Sequence, residues 1–194
     1  SKRSDWTNPS GKWVEQARRL SQLEPRSAPL LRGLAAPADA TEYLDLALIA
    51  RNKRMYATAV ALWTKAFAMD PKLENDSTFI SRYAAAAAAA MAGCGKGTDG
   101  QALDEPAKVK LRRQALDWLK ADLAANLDAA GRSPREGHFT ELTLLSWKAD
   151  IELAGVRDQD RLAILPDVER AQWQDLWQKV DRLLTQLRSH SYSH

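Results

Sequence analysis

The stretch ATEYLDLALIARNKRMYATAVALWTKAFAMDP, residues 40–71, decides the fold. Tyr43, Leu46, Ala47 and Ala50 recur at i, i+3, i+4 and i+7, the spacing of one helix face. Tyr56, Ala59, Trp63 and Ala66 repeat the pattern a few residues later. Pro37 suits the first position of the first helix, where its missing N–H costs nothing. That helix is expected to run to about Lys53, and a second from near Met55. The second must stop at Asp70, because the residue before a proline is pushed out of the α region. Two apolar helices joined by a short turn read as a hairpin.

The same logic extends in both directions. A helix beginning near Gly11 carries Trp13, Ala17 and Leu20 on one face and ends at Pro25, and a short helical piece follows over 28–34. Downstream, helices are expected over 77–92, 106–130 and 139–153, with a short one over 158–164 and a last one from Pro166 to about Arg188. The last has Trp173, Leu176, Trp177, Val180, Leu183, Leu184 and Leu187 along one stripe. Residues 131–137 combine glycine, proline and alternating charge and read as a loop. The run Ala84–Ala90 is expected to form the most buried helix, since alanine on every face lets neighbours approach from both sides.

Composition agrees. Ala and Leu supply 59 of 194 residues, while Val and Ile supply 10. Strands favour β-branched residues, so a sheet-based fold is excluded and the class is all-α. A chain of this length buries roughly 70% of its unfolded surface and needs no disulfide or metal to fold. Its single cysteine, Cys94, rules out a disulfide framework. The net charge of +3 falls short of a chain built to neutralise nucleic-acid phosphates. The longest uncharged apolar stretch, Tyr83–Ala92, is about half the ~20 residues that span a bilayer. The N-terminus shows no apolar run like that of a signal peptide, so a cytoplasmic location is the expectation.

Residues 40–71 resemble one tetratricopeptide repeat. Counting from Ala40, Ala47 and Ala59 fall at the two positions that must be small, the second being where the helices cross closest. Tyr43, Leu46, Tyr56 and Trp63 fill large apolar positions, and Asp70-Pro71 closes the unit; Ala50 departs, standing where an aromatic is usual. Residues 77–130 resemble an irregular second repeat with about a dozen extra residues between its helices. Leu20, Leu23, Glu24 and Pro25 resemble the end of a preceding one, as in a piece of a longer solenoid.

A wider resemblance rests on Pro37–Leu44, on Arg82-Tyr83-Ala84-Ala85 and on Leu111–Leu123. It continues through Leu153-Ala154-Gly155-Val156-Arg157-Asp158, Leu165-Pro166, Glu169-Arg170 and Trp173–Trp177. Together these look like the C-terminal helical region of large planctomycete-type bacterial proteins. Many of those carry an upstream serine/threonine protein kinase domain, with tetratricopeptide repeats between. Members often have a polar residue after the tyrosine, where this chain has Ala84. The resemblance implies one tetratricopeptide-like domain over 11–188, between tails at 1–10 and 189–194. Its architecture is then a right-handed superhelical array of antiparallel hairpins with a closing C-terminal layer over 139–188.

Motifs that carry chemistry do not assemble. Gly95-Lys96-Gly97-Thr98-Asp99-Gly100 spells G-x-G-x-x-G, but a dinucleotide site needs a strand before that turn and a helix after it. Here the turn follows a helix. Kinase signatures H-R-D and D-F-G are missing from the sequence. His190 and His194 are four apart in a polar tail with no third ligand nearby. Lys108, Lys110, Arg112 and Arg113 form a basic cluster smaller than a nucleic-acid footprint. Trp63, Trp118, Trp147, Trp173 and Trp177 lie on apolar stripes and read as core.

No catalytic residue, cofactor or metal site is therefore expected, and the reading is a non-catalytic protein-interaction or scaffold module. The concave face of a hairpin array is lined by the first helix of each pair. That places Thr41, Leu44, Leu48, Arg51 and Asn52, with Ile80, Tyr83 and Ala87 from the next unit, along a partner-binding groove. Its apolar character suits an amphipathic helix or apolar segment, and Leu44 and Leu48 disfavour a carboxylate clamp. The alternatives are a self-association domain whose groove is filled by its own C-terminal helices, and an unrecognised enzyme using the glycine turn and Cys94.

Overall fold

Asp39, not Pro37, opens the decisive helix. In a computed structural model that describes residues 9–75 and 81–191, the Asp39 carboxylate accepts a hydrogen bond from the Glu42 amide at 2.9 Å. Glu42 reaches back to accept from the Ala38 amide at 2.5 Å. This reciprocal cap satisfies amides that a helix begun at Pro37 would leave bare. Helix α3 accordingly spans Ala40–Asn52 and α4 spans Tyr56–Met69. Between them Arg54 takes a left-handed conformation, φ +60°, which closes the turn tightly.

The remaining helices follow from similar local chemistry. Helix α1 covers Pro9–Leu23, and a 3₁₀ turn at Glu24–Arg26 leads into the short α2, Ser27–Leu31. Helix α5 spans Ser81–Gly93 and α6 spans Glu105–Ala130, the latter capped by Asp104 accepting from the Ala107 amide. The expected loop over 131–137 is shorter than read. Ser133 caps the Glu136 amide, with Pro134 in the first turn, so α7 starts there and spans Pro134–Ala149. Asp150 then breaks the expected 139–153 helix by accepting from the Glu152 amide, which starts a 3₁₀ segment over Ile151–Val156. Short α8, Gln159–Leu162, leads to α9, Asp167–Ser191. Among the described residues no strand occurs; the fold is all-α.

The helices pack in chain order. Helix α1 lies on α3, α3 on α4, α4 on α5, α5 on α6, α6 on α7 and α7 on α9, while the 3₁₀ segment Ile151–Val156 returns to cover α5. One core cluster runs from Leu44 to Leu184, and a smaller one of Leu23, Leu30, Leu46 and Ile49 sits where α1 and α2 meet α3. Arg19 on α1 grips Asp45 on α3 through two contacts, at 2.7 and 3.3 Å. Burial holds the Asp45 carboxyl above its ordinary value even with that guanidinium alongside.

Helix α5 is the thinnest layer. Ala85 through Ala90 and Ala92 are at most 1% exposed, so α4, α6 and the 3₁₀ segment all rest on a rod of methyl groups. The approach is close at Gly93, where a Cβ would stand 2.5 Å from the Arg112 side chain and 2.9 Å from its backbone nitrogen.

Ala59 on α4 is fully buried. Ala59→Leu adds three carbons to a site without room and is expected to cost about 1–3 kcal/mol. Thermal unfolding checks this, and a midpoint within about a degree of the parent would show that the α3–α4 crossing is not tight.

Candidate functional site

The residues expected to line one groove are divided: two are buried, four are half-buried and one is exposed. Leu44 is 2% exposed and Ala87 fully buried, so neither presents a surface to a partner, and both are corrections to the expected groove. Leu48 is half-buried against the main core. The ring of Tyr83 stacks on Trp147 with centroids 5.5 Å apart and planes 17° from parallel. Its hydroxyl donates to Asp150 at 2.6 Å. Burial pushes the Tyr83 phenol up, and the adjacent Asp150 carboxylate pushes it further, so the hydroxyl stays a donor. Arg51, which could have met an acid on a partner, instead pairs with Glu152 at 2.6 Å. Thr41 faces a small polar cleft beside Arg19 and Asp45, and Asn52 is exposed at the end of α3. Ile80 lies outside the described residues.

Two acids two residues apart, Asp150 and Glu152, thus hold the 3₁₀ segment to Tyr83 on α5 and Arg51 on α3. Sequence offered a weak signal for this. The pairings span 67 and 101 residues, and nothing local marks Asp-x-Glu as the complement of Tyr83 and Arg51.

The glycine turn has a different use from the one its spelling evokes. Met55 offers α4 no side-chain cap. Asp99 supplies one from 41 and 42 residues away, its two carboxylate oxygens accepting from the Ala57 amide at 3.2 Å and the Thr58 amide at 2.8 Å. The Thr98 amide donates to the Arg54 carbonyl at 2.9 Å. Gly97, at φ +87°, lies so close that a Cβ would meet that carbonyl at 2.4 Å and the Tyr56 ring at 2.5 Å. The turn caps α4 through the Asp99 carboxylate, and its Thr98 amide is spent on the Arg54 carbonyl rather than left for a phosphate.

An open cleft lies beside this turn, between the end of α5, the first turns of α6 and the 151–165 segment. Its volume is about 620 Å³. Met91 and Cys94 form part of the floor, and Gly155 lets the opposite wall come in, since a Cβ there would be 2.6 Å from the Cys94 sulfur. Ile151 and Ile164 stand on the rim, 80% and 77% exposed.

The basic cluster read in the sequence divides here. Arg112 turns inward, 4% exposed. It meets Glu169 at 2.5 and 3.1 Å, Glu105 at 3.1 Å and the Gly93 carbonyl at 2.7 Å. Lys108 faces the cleft, with its nitrogen 3.9 Å from Glu105, while Lys110 and Arg113 are exposed. Lys96 and Arg161 complete the cationic lining.

Cys94 is poorly suited to nucleophilic work. Burial pushes its thiol up and outweighs the opposing cations Arg112, Lys96 and Arg161, so the thiol stays protonated at neutral pH. Among the described residues no three of His, Cys, Asp and Glu gather as metal ligands would. His138 is exposed beside Glu141, and the His190–His194 pair falls on residues whose side chains are not described. No helix among the described residues is long and apolar enough to cross a membrane. Comparison with known proteins finds no matching family model, no similar curated protein and no similar solved structure.

Proposed function

We propose that this chain is a non-catalytic protein-interaction or scaffold module. In this reading it is a right-handed array of tetratricopeptide-like hairpins and the C-terminal part of a larger, kinase-containing signalling protein. The chain-order packing of α3 to α7 and the repeat-like residues of 40–71 support the architecture. The observation that carries the function is the open cleft flanked by exposed isoleucines, in which no nucleophile is paired with a base. Such a surface offers binding area without reaction machinery.

Panning a random-peptide display library on the whole domain tests this. Peptides that bind saturably at micromolar concentrations are expected, and failure to recover any counts against an interaction module. A second reading, self-association, is favoured by one observation: Tyr83 and Arg51, two of the expected groove residues, are already engaged by Trp147, Asp150 and Glu152 of the same chain. Light scattering over a hundredfold concentration range separates the two. A monomer throughout supports the peptide-binding reading, and a concentration-dependent dimer supports self-association.

A further inference from the structure

The α5–α6 cleft has a charge pattern that selects among peptides. Its carboxylates are already engaged. Glu105 meets Arg112 at 3.1 Å, and Glu152 meets Arg51 at 2.6 Å. Its cations are not balanced in the same way. Lys96 makes no ion pair with any described residue. Lys108 is at the outer limit of pairing with Glu105, 3.9 Å away, and Arg161 has only its own neighbour Asp160, at 3.5 Å, with both side chains exposed. The cleft therefore carries a positive surplus around an apolar floor of Met91, Leu165 and the Cys94 sulfur.

The rim settles the kind of occupant. A small molecule confined to about 620 Å³ would leave Ile151 and Ile164 in water at 80% and 77% exposure. A helix laid across the opening covers both, while one large side chain drops between them. Carboxylates on its flanks then face Lys96, Lys108 and Arg161, which raises the encounter rate and fixes orientation.

We infer that this cleft docks an acidic amphipathic helix of a protein partner, with a large apolar residue seated over Met91 and Leu165 and carboxylates set against Lys96 and Arg161. The inference rests on the interaction-module reading and adds the site and the chemistry of the partner.

Two fluorescent 14-residue peptides test it. They share one leucine stripe at helical spacing; one has glutamate on its polar face, the other lysine. Polarisation titrations against the whole chain are expected to show the acidic peptide binding at least tenfold more tightly, with affinity falling as salt rises. The double variant Lys96→Glu/Arg161→Glu is expected to weaken the acidic peptide at least tenfold and to improve the basic one. Ile164→Asp is expected to weaken both. All three positions are exposed, and a matching thermal midpoint confirms that the variants fold. Equal binding of the two peptides, no binding of either, or acidic-peptide affinity unchanged in the double variant overturns the inference. The display library judges the module reading separately. Peptides recovered there that bind elsewhere leave that reading standing while this one falls, and an empty library removes both.

Discussion

Replacing Arg112 with alanine is expected to cost about 3–5 kcal/mol, a large share of the 5–15 kcal/mol that holds a typical domain together. The side chain is 4% exposed and binds Glu169, Glu105 and the Gly93 carbonyl together. Removing it leaves the Glu169 carboxylate, itself 14% exposed, without its cation. It also orphans the buried Gly93 carbonyl, where α5 leaves no room for a Cβ against α6. Most of the loss comes from the stranded charge, so Glu169→Gln in the same chain should return part of it. Urea unfolding of the two single variants and the double one measures that coupling. A loss below about 1 kcal/mol for Arg112→Ala would mean that the network contributes no more than a surface ion pair.

Trp147→Ala is expected to have an effect of similar size, about 3–5 kcal/mol for a buried indole cut back to a methyl. Trp147 is 1% exposed and stacks on Tyr83, which in turn hydrogen-bonds Asp150. The damage should spread. Without the ring, Tyr83 loses its stacking partner and the 150–152 segment loses the support behind it, so α3 and α5 should become accessible. For a chain of this size each kcal/mol lowers the melting point by about 2–4 °C, which makes a fall on the order of 10 °C the expected result. Hydrogen exchange should rise around Arg51 and Tyr83 more than around α9. Uniform exchange across the chain would show that Trp147 supports the whole core rather than this cover.

The helices were legible because each of their signals is local. Alanine and leucine content, the 3.6-residue stripe of α9, and Asp70 before Pro71 need no knowledge of distant residues. Ser133-Pro134-x-Glu136 was equally local, and its capping pattern was outweighed by the alternating charges around it. What stayed hidden needed partners far apart in sequence. Arg51 looks like a groove residue until Glu152 arrives from 101 residues away, and Leu44 and Ala87 look like concave-face residues until the chain's own helices cover them. The cleft was hidden for a related reason. Cys94 and Lys96 are neighbours in sequence, but Lys108 and Ile164 carry no motif that joins them to that turn, and the close approaches at Gly93 and Gly155 bring their segments together.

The remote cap on α4 has a consequence for how the chain reaches this structure. A hairpin of α3 and α4 has nearly all its contacts within thirty residues and would ordinarily be an early, self-sufficient unit of folding. Here the amides of Ala57 and Thr58 find their acceptor only when Asp99 swings in from beyond α5. Left alone, the most repeat-like part of the sequence would fray at the start of its second helix. Part of its order is borrowed from the turn that follows α5, which ties the first turn of α4 to the docking of the next pair of helices.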